Sequence, residues 1–467
     1  MSETTQAKSK GNIFWRISKK FQFAADTIIP DSFVFCIILA FVVFFASWIV
    51  EKSNPMDLIQ YWYNGFWTQN AFAFQMTIMV VVCAAFAQSP AVRKGLDAFA
   101  GIAKSPYVAM VIFMVFGYVT SFINWAFCSI ACPVLAMRMA KKVKGLHFPM
   151  MMAAGYSTMV LGQCMGPSAS LYARVAALDP SYFEVPFFQE AGWATGSISQ
   201  SQTTYNPMNV CLWIILAVVT IIVSILTVPP KEEIVEFHAP INDDDIVVEE
   251  STGKLTPAEK MNGSHILMWM TAIVGLIYIF WSFATKGILN SLGLNFMIFI
   301  FITVDCIVYN TPKKFAAAIK DSMYLASDVM IQFPFYGAIM GIMTDSGLAA
   351  TIVAALASVA TAKSVPVIAY VSACIVNLFI PSQGGQWIVQ GPIMLPLAKQ
   401  FGNYYPDILN AFVYGDEATN LLQPLYLIPA LAVVNMKLKE VWGYCAYLFV
   451  IWFIITCIGL YILPGIM

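Results

Sequence analysis

The chain has 467 residues, of which 59% are hydrophobic and only 11% are charged. Soluble globular domains carry roughly 25% charged residues, so this composition excludes a soluble enzyme or binding protein and indicates a chain that lies in lipid. The formal net charge of −1 gives no indication of a nucleic-acid partner, because the informative charge of a membrane protein is its distribution between loops. We therefore expect the lipid bilayer as surroundings and no nucleic acid as a partner.

Residues 1–30 are predicted to form a cytoplasmic, interfacial segment. Aromatic residues between Ile13 and Ile29 are mixed with cations, which is typical of a helix that lies in the plane of the membrane interface. No small-residue cleavage site is evident, so we expect the segment to be retained. The cations of this region are Lys8, Lys10, Arg16, Lys19 and Lys20.

The ten cysteines all lie in apolar stretches, as small buried hydrophobic residues do, and imply no disulfide framework. Cys128 and Cys132 stand one helical turn apart, but the three histidines lie near loop ends. A metal site needs such ligands to converge. We therefore expect neither a metal nor another resident cofactor.

Long apolar segments predict an all-α polytopic membrane protein with about 11 spans plus hairpins, since about 20 apolar residues cross a bilayer. The polar stretch 229–264, which contains Asp243, Asp244, Asp245, Glu249 and Glu250, is predicted to be a cytoplasmic linker. It separates repeat one (31–228) from a linking helix (265–284) and repeat two (291–463). The predicted segments are 31–50, 71–92, 106–124, 125–140, 148–165, 207–228, 265–284, 291–309, 322–343, 366–380, 384–398, 408–436 and 441–463.

Two halves of the chain are related by an internal repeat. Three pairs of identical residues are each separated by 257 positions, namely Pro55 and Pro312, Gln75 and Gln332, and Ser89 and Ser346. The surrounding hydropathy agrees, because an interfacial stretch precedes an apolar segment with one glutamine in both halves. Asn124 and Asn377 correspond at a slightly shorter offset of 253.

The basic residues predict that the two repeats have opposite orientations in the membrane. With the N-terminus inside, most basic loop residues become cytoplasmic, as the positive-inside rule requires. Segment 265–284 is then an unpaired helix that inverts repeat two, and inverted repeats are typical of secondary transporters. The basic residues left outside are Lys52, Arg174, Lys286, Lys363 and Lys399.

Both halves contain an interrupted apolar segment, at Asn124–Pro133 and at Pro381–Pro392. Matched Gly or Pro interruptions mark the substrate site in transporters with inverted repeats. Gly384 and Gly385 allow close approach to backbone amides, which can bind an anion without a side-chain charge. From these interruptions we expect a re-entrant or broken-helix hairpin in each half. No Lys or Arg occurs from Ser105 to Met137, so we expect the site to bind a substrate with one carboxylate.

Asp416 and Glu417 interrupt an otherwise apolar span, together with Asn420 and Gln423. Intramembrane acids are costly and usually functional, so these four are candidates for the coupling-ion site, where a proton or Na⁺ would bind. Helical spacing places Asp416, Asn420 and Gln423 on one face and predicts that Glu417 points elsewhere. A buried structural hydrogen bond is the alternative role for the acids.

The remaining polar residues near the predicted hairpins are candidate substrate ligands, with interhelical hydrogen bonding as the alternative role. Gln75 is a further candidate for the same polar centre. The predicted substrate-binding residues are Asn124, Trp125, Gln332, Tyr336, Asn377, Ser382, Gln383, Gly384, Gly385, Gln386, Trp387 and Gln390. The polar clusters Gly162–Ser170 and Ser197–Pro207 are predicted to be external loops or broken helix ends.

At these motifs the chain resembles the bacterial short-chain fatty acid transporter family, the AtoE-like proteins, over nearly its whole length. The resemblance depends on Ile331–Leu348, Asn377–Pro392 and Tyr414–Ala432, with Phe122–Trp125 and Asn64–Trp67 in the first half. It implies uptake of monocarboxylates such as acetoacetate and butyrate. It also implies kinship with the ion-transporter superfamily of hairpin-containing elevator transporters, which often form homodimers.

Two departures from the family pattern concern the titratable groups. The family hairpin is similar to PSGGGHW, whereas this chain has Gln383 and Gln386 where glycine and histidine would stand. The acidic motif has Asp416 and Glu417 in place of one acid followed by glutamine. If a proton moves with the substrate, these acids are therefore its expected carriers.

We predict a secondary active transporter of the bacterial cytoplasmic membrane, not an enzyme, that is driven by a proton or sodium gradient. The rival hypotheses are a transporter for another small anion, such as a dicarboxylate, or for an amino acid. A membrane enzyme would need a nucleophile with a base, or a set of metal ligands, and neither pattern is found in the sequence. A channel would conduct current without saturable, gradient-coupled flux.

Overall fold

The computed structural model of the protein describes residues 11–166, 169–176, 180, 182–238, 255–291 and 293–465. Within these ranges the chain is all-helical and contains no β-strand. The predicted acidic residues of the linker, from Asp243 to Glu250, lie outside the described residues. So do Lys8, Lys10 and positions 167 and 168 of the polar cluster Gly162–Ser170.

In the described part of the first half, α1 packs against the last long helix and is followed by ten further helices. Six of these eleven helices have a proline in the first or second helical position, where its missing N–H costs no hydrogen bond. These helices are α1 (Ile13–Ile28), α2 (Ser32–Val50), α3 (Pro55–Thr68), α4 (Asn70–Gln88), α5 (Pro90–Ala100), α6 (Pro106–Ile123), α7 (Trp125–Lys142), α8 (Phe148–Gln163), α9 (Ser170–Ala176), α10 (Val185–Glu190) and α11 (Pro207–Leu226).

The second half follows a short helix after the linker and contains eleven further helices among the described residues. The long helix α13 contains the predicted linking segment 265–284 and exposes most of its apolar surface. These helices are α12 (Pro257–Asn262), α13 (His265–Lys286), α14 (Ile288–Ser291), α15 (Leu294–Tyr309), α16 (Pro312–Ser322), α17 (Ser327–Asp345), α18 (Leu348–Ala357), α19 (Val365–Asn377), α20 (Gln383–Phe401), α21 (Tyr405–Asn420), α22 (Ile428–Val434) and α23 (Leu438–Ile462).

Seven helical segments in the described part of the chain are long and apolar enough to cross a membrane. Shorter apolar helices accompany them, among them Leu294–Tyr309 and Val365–Asn377, so the predicted multi-pass, all-helical class is confirmed. The seven segments are Ser32–Val50, Pro55–Gln88, Pro106–Ile123, Pro207–Leu226, Pro257–Lys286, Pro312–Asp345 and Leu438–Ile462.

Helices of the two halves follow one another in the same order with corresponding bounds. The segments Pro55–Gln88 and Pro312–Asp345 both have 34 residues and are separated by the predicted offset of 257 positions. The same offset relates Pro149, at the start of α8, to Pro406, at the start of α21. The predicted repeat therefore corresponds to a repeated helix order.

The halves also exchange contacts reciprocally. Helix α2 packs on α17, and its counterpart α15 packs on α4. The two glutamines of the repeat make equivalent bonds across this interface: Gln75 Nε2 donates to Asn295 Oδ1 at 2.7 Å, and Gln332 Nε2 donates to Ser32 Oγ at 3.1 Å. Each glutamine thus ties the second span of one half to the first turn of the opening span of the other.

Helices α3 and α17 cross at glycines. A Cβ added to Gly65 would meet the Gly337 carbonyl oxygen at 2.5 Å and Gly341 Cα at 2.9 Å, distances that ordinary packing does not allow. Small residues at such a crossing let two backbones approach closely, as in membrane helix pairs generally. This crossing fixes α17 against the first half.

One predicted segment differs in the structure. The apolar stretch 408–436 does not form one span, because α21 ends at Asn420 and α22 begins at Ile428. Pro424 lies in the break, where it lacks an N–H and restricts the residue before it. Gln423 Oε1 accepts the Leu425 N–H at 2.9 Å, so the side chain satisfies backbone that the broken helix leaves free.

Candidate functional site

A cavity of about 460 Å³ lies where the two predicted interruptions meet. It is lined by helix ends of both halves and by polar, acidic and aromatic side chains. None of the described residues that line it is Lys, Arg or His. The lining residues are Thr68, Gln69, Ala71, Phe72, Gln75, Asn124, Trp125, Gln163, Ser170, Leu294, Ser382, Gln383, Gly384, Asp416, Glu417, Asn420 and Tyr426.

The first interruption is the single residue Asn124 between α6 and α7. Its extended backbone (φ −164°, ψ 129°) ends α6, and its side-chain oxygen caps α7 by accepting the N–H groups of Ala126 at 2.9 Å and Phe127 at 3.2 Å. Asparagine is a favoured N-cap because it satisfies amides that the helix cannot. The cap aims the N-terminus of α7 at the cavity.

The second interruption separates α19, which ends at Asn377, from α20, which begins at Gln383. Ser382 is the N-cap of α20, and its hydroxyl accepts the Gly385 N–H at 3.3 Å. The N–H groups of Gln383 and Gly384 have no hydrogen-bond partner among the described residues. A Cβ added to Gly384 would meet only Ser170 Oγ, at 3.8 Å, so open space lies beside these amides.

Two helix N-termini therefore face one cavity, those of α7 and α20. The N-terminus of a helix carries a partial positive charge and unpaired N–H groups, which together bind anions. The two uncommitted amides at the start of α20 provide donors for a carboxylate. Because no basic side chain lines the cavity, this arrangement suits one carboxylate better than two.

Asp416 and Glu417 both line the cavity, which corrects the expectation that Glu417 points elsewhere. Glu417 Oε1 accepts from Gln383 Nε2 at 3.4 Å, and Oε2 accepts from Asn420 Nδ2 at 3.1 Å. The prediction from helical spacing was wrong because it did not include the contact of Glu417 with Gln383, the first residue of α20. The pair of adjacent acids, exposed by only 2% and 1%, can take up a cation.

Gln383 connects three parts of this site. Its Oε1 accepts from the Leu171 N–H at 2.7 Å and from Ser170 Oγ at 3.2 Å, while its Nε2 donates to Glu417. The side chain thus links the start of α9 to the acid pair. It is the first residue of α20, at a position where the family pattern has glycine.

Part of the cavity wall is aromatic. Phe72 of α4, Trp125 of α7 and Tyr426 of the segment after α21 form a cluster with ring centroids 5.3–6.4 Å apart. All three rings are partly exposed. The Tyr426 hydroxyl donates to the Pro381 carbonyl oxygen at 2.7 Å, so this residue joins the two interruptions.

Eight of the sixteen predicted site residues line the cavity. The substrate candidates among them are Asn124, Trp125, Ser382, Gln383 and Gly384, and the coupling-ion candidates are Asp416, Glu417 and Asn420. The other eight lie outside the cavity wall: Gln332, Tyr336, Asn377, Gly385, Gln386, Trp387, Gln390 and Gln423.

Four of the eight residues outside the wall, Gln332, Asn377, Gln386 and Gln390, make hydrogen bonds to other helices. Asn377 Nδ2 donates to the Asp416 carbonyl oxygen, to Thr419 Oγ1 at 3.0 Å and to Asn420 Oδ1 at 2.9 Å. Gln386 and Gln390 donate to carbonyl oxygens of α19. These side chains join α19, α20 and α21 and place the acid pair beside the interruption.

Gln163 is the clearest residue that the sequence-based prediction missed. It ends α8 and lines the cavity, as Asn420 ends α21 and lines the cavity. The two positions are separated by 257 residues, so applying the repeat offset to Asn420 would have found it. Asp305 of α15 was also overlooked: it is a fully buried acid, but it does not line the cavity.

Comparison with known proteins gave consistent matches along the whole chain. A family model described as "Short chain fatty acid transporter" matches residues 13–463. A protein of Haemophilus influenzae named "Putative short-chain fatty acid transporter" is 28% identical over 449 residues, which cover 96% of this chain and 99% of the relative. A protein of Escherichia coli K12 with the same name is 26% identical over 450 residues, covering 95% and 99%.

Among solved structures, the chain is similar to the YdaH transporter of Alcanivorax borkumensis, whose crystal structure is described as revealing an unusual topology. The TM-score is 0.45 and the sequence identity 12%, over 94% of this chain and 98% of that one.

Proposed function

Because the chain belongs to the short chain fatty acid transporter family, we propose that it is a secondary active transporter that moves small monocarboxylates, such as butyrate and acetoacetate, across the bacterial cytoplasmic membrane. A gradient of protons or sodium ions drives the movement. The observation that carries this proposal is a single cavity that combines two helix N-termini with a buried pair of acids.

The two parts of the cavity suit two ions of opposite charge. The carboxylate of the substrate binds at the start of α20, where the N–H groups of Gln383 and Gly384 are uncommitted. A proton or Na⁺ binds at Asp416 and Glu417, whose oxygens face the same space. Oxygen ligands are those that hard cations prefer.

Electrostatics then couples the two ions. Without a bound cation, the negatively charged acid pair repels the carboxylate of the substrate. The repulsion is strong because charges in a low-dielectric cavity interact more strongly than in water. Loading the acids with a proton or Na⁺ removes this repulsion and raises the affinity for the carboxylate. By linkage, the carboxylate raises the affinity for the cation by the same factor, so the two move together.

Alternating access follows from the repeated architecture. We propose that the two halves have inverted orientations with the N-terminus in the cytoplasm, as the basic residues predict, and that the body carrying the interruptions moves relative to the rest in an elevator-type step. The reciprocal bonds of Gln75 and Gln332 support a two-fold relation between the halves.

A dicarboxylate is the rival substrate that the cavity suits least. A second carboxylate would lie against aromatic rings or beside the acid pair, with no Lys, Arg or His among the described lining residues. Burying an unpaired charge in this way is costly.

Competition in proteoliposomes tests the proposal. Purified protein is reconstituted, and uptake of labelled butyrate is measured in the presence of excess acetoacetate, succinate or alanine. Acetoacetate is expected to suppress uptake, whereas succinate and alanine leave it unchanged. Saturable uptake of succinate or alanine that butyrate does not reduce would contradict the fatty-acid proposal.

A further inference from the structure

We propose that Phe72, Trp125 and Tyr426, here called the aromatic cluster, form the subsite for the alkyl chain of the substrate and set the longest chain that the transporter accepts. This inference rests on the proposed function, because it takes the substrate to be a carboxylate with a short alkyl chain. It assigns a role in specificity to three residues, two of which no sequence pattern singled out.

The cluster is built from three separate elements that converge on one point. The Trp125 and Tyr426 rings meet edge to face at 5.3 Å, and Phe72 lies 6.1 Å from Trp125 and 6.4 Å from Tyr426. All three rings remain partly exposed and line the cavity. Their free surface is therefore presented to whatever the cavity holds.

The position of the cluster defines an orientation for the substrate. Trp125 is the first residue of α7, and the Tyr426 hydroxyl is fixed at 2.7 Å on the carbonyl oxygen of Pro381, just before α20. The Tyr426 ring thus lies close to the start of α20, where the amides of Gln383 and Gly384 are uncommitted. A carboxylate held at these amides would direct its apolar chain against the rings.

Phe72 is backed by the buried core of the protein. Phe72 packs on the fully buried Phe333, with ring centroids 5.4 Å apart. Protein interiors are close-packed and yield little to an added methylene. The cluster therefore favours an alkyl chain by apolar contact, and we expect Phe72, which Phe333 backs, to limit the length of that chain.

Truncation of Phe72 should relax this limit. The ratio of kcat/KM for hexanoate to kcat/KM for butyrate is measured in proteoliposomes for the wild type, Phe72→Ala and Trp125→Ala. We expect the ratio to rise by at least about tenfold in both variants, because one methylene in an apolar pocket changes specificity by about that factor or more.

Phe335→Ala is the matched control. Phe335 is also partly buried and packs on Phe66 at 5.4 Å, but it does not line the cavity. The ratio of kcat/KM for hexanoate to kcat/KM for butyrate in Phe335→Ala should equal that of the wild type. Tyr426→Phe provides a second comparison, since it keeps the ring and removes only the bond to Pro381; it should raise KM for all chain lengths alike.

The outcomes separate this inference from the proposed function. An unchanged ratio in Phe72→Ala and Trp125→Ala, with butyrate transport retained, overturns the alkyl subsite and leaves the transporter proposal standing. An equal rise in Phe335→Ala also overturns it. If a truncated variant is inactive, thermal stabilisation of the purified variant by hexanoate and by butyrate replaces the rates, and an unchanged preference overturns the subsite. Failure of the wild type to transport any monocarboxylate overturns both.

Discussion

Gln383 donates a hydrogen bond from Nε2 to Oε1 of Glu417 at 3.4 Å, and this bond joins the helix end suited to an anion to the acid pair suited to a cation. Gln383 is the first residue of α20, so its own N–H faces the same cavity as its side chain. A change of charge at Glu417 is therefore felt directly at the start of α20. In the proposed mechanism, this one contact is the pathway that couples the carboxylate site to the cation site.

Glu417→Gln should uncouple transport. The substituted amide places an NH₂ group where Gln383 and Asn420 now donate to carboxylate oxygens, and it cannot take up a proton or bind Na⁺ as an anion. We expect exchange of external labelled butyrate for internal butyrate to continue, because the amides of α20 remain. Gradient-driven accumulation in the same proteoliposomes should be lost. Asp416→Asn is expected to behave in the same way.

Asp305→Asn is the control for this prediction. Asp305 is a buried acid of the apolar helix α15, its carboxylate oxygens have no hydrogen-bond partner among the described residues, and it lies outside the cavity wall. Its substitution should leave accumulation intact. Loss of accumulation in Asp305→Asn, with retention in Glu417→Gln, would move the coupling site from the cavity to α15.

Gly384→Ala should weaken substrate binding without weakening the fold. The added Cβ meets only Ser170 Oγ at 3.8 Å and occupies the space beside the two uncommitted amides. Alanine in a helix is more favourable than glycine by about 0.5–1 kcal/mol, so the melting temperature in detergent should be equal or higher. KM for butyrate should rise several-fold in proteoliposome uptake.

The equivalent change at Gly95, in α5, serves as the control. A Cβ at Gly95 has no atom within 4 Å, and this residue is not among those that line the cavity. Gly95→Ala should keep the KM of the wild type. A KM unchanged in Gly384→Ala would place the carboxylate elsewhere.

Asn377→Leu should destabilise the protein. The substitution removes the donor that contacts the Asp416 carbonyl oxygen, Thr419 and Asn420, and a buried polar group left without its partner costs about 1–3 kcal/mol. The melting temperature of the purified variant should fall, and transport should fall with the amount of folded protein. Lost transport at an unchanged melting temperature would instead make Asn377 a substrate ligand.

His147 predicts a dependence of stability on pH. This histidine lies in the loop before α8, where Nδ1 accepts the Val235 N–H at 3.1 Å and Nε2 pairs with the Tyr444 hydroxyl at 2.7 Å. Burial lowers the pKa of His147 from 6.5 to about 4, opposed by the negative charge of Glu233. Because the unfolded chain binds this proton at higher pH than the folded one, stability is full above pH 6.5 and falls as the pH drops towards 4.

The change amounts to about 3 kcal/mol, since one pKa unit corresponds to 1.36 kcal/mol. His147→Gln removes the titrating group, so thermal unfolding of the variant in detergent should vary less between pH 4 and 6.5 than that of the wild type. Equal pH dependence in both proteins would show that His147 does not carry it.

The resemblance of three motifs predicted the family, and the match over residues 13–463 confirms it. Hydropathy predicted the long helices well, because a span of about 20 apolar residues has few other structures in lipid. It failed at 408–436, where Pro424 breaks the helix within an apolar stretch. Pro424 indicates a break in the helix, but the prediction gave more weight to the length of the apolar stretch.

The site was predicted in outline from the matched interruptions, and the structure places Asn124, Ser382 and the acids around one cavity. The side-chain directions could not be predicted, because they depend on how α19, α20 and α21 pack. Asn377 was open between ligand and helix contact; in the structure it makes three bonds within the bundle and does not line the cavity. The aromatic cluster was missed because Phe72 and Tyr426 come together only in three dimensions.

The central claim is that a carboxylate and a cation share one cavity and move together. The most direct test is the accumulation of labelled butyrate in proteoliposomes of the purified protein under an imposed inward proton gradient and, separately, an inward sodium gradient. We expect butyrate to rise above its equilibrium level under one of these gradients and to fall back when an ionophore for that ion dissipates it. Butyrate that only equilibrates under both gradients, with no overshoot, would contradict the claim.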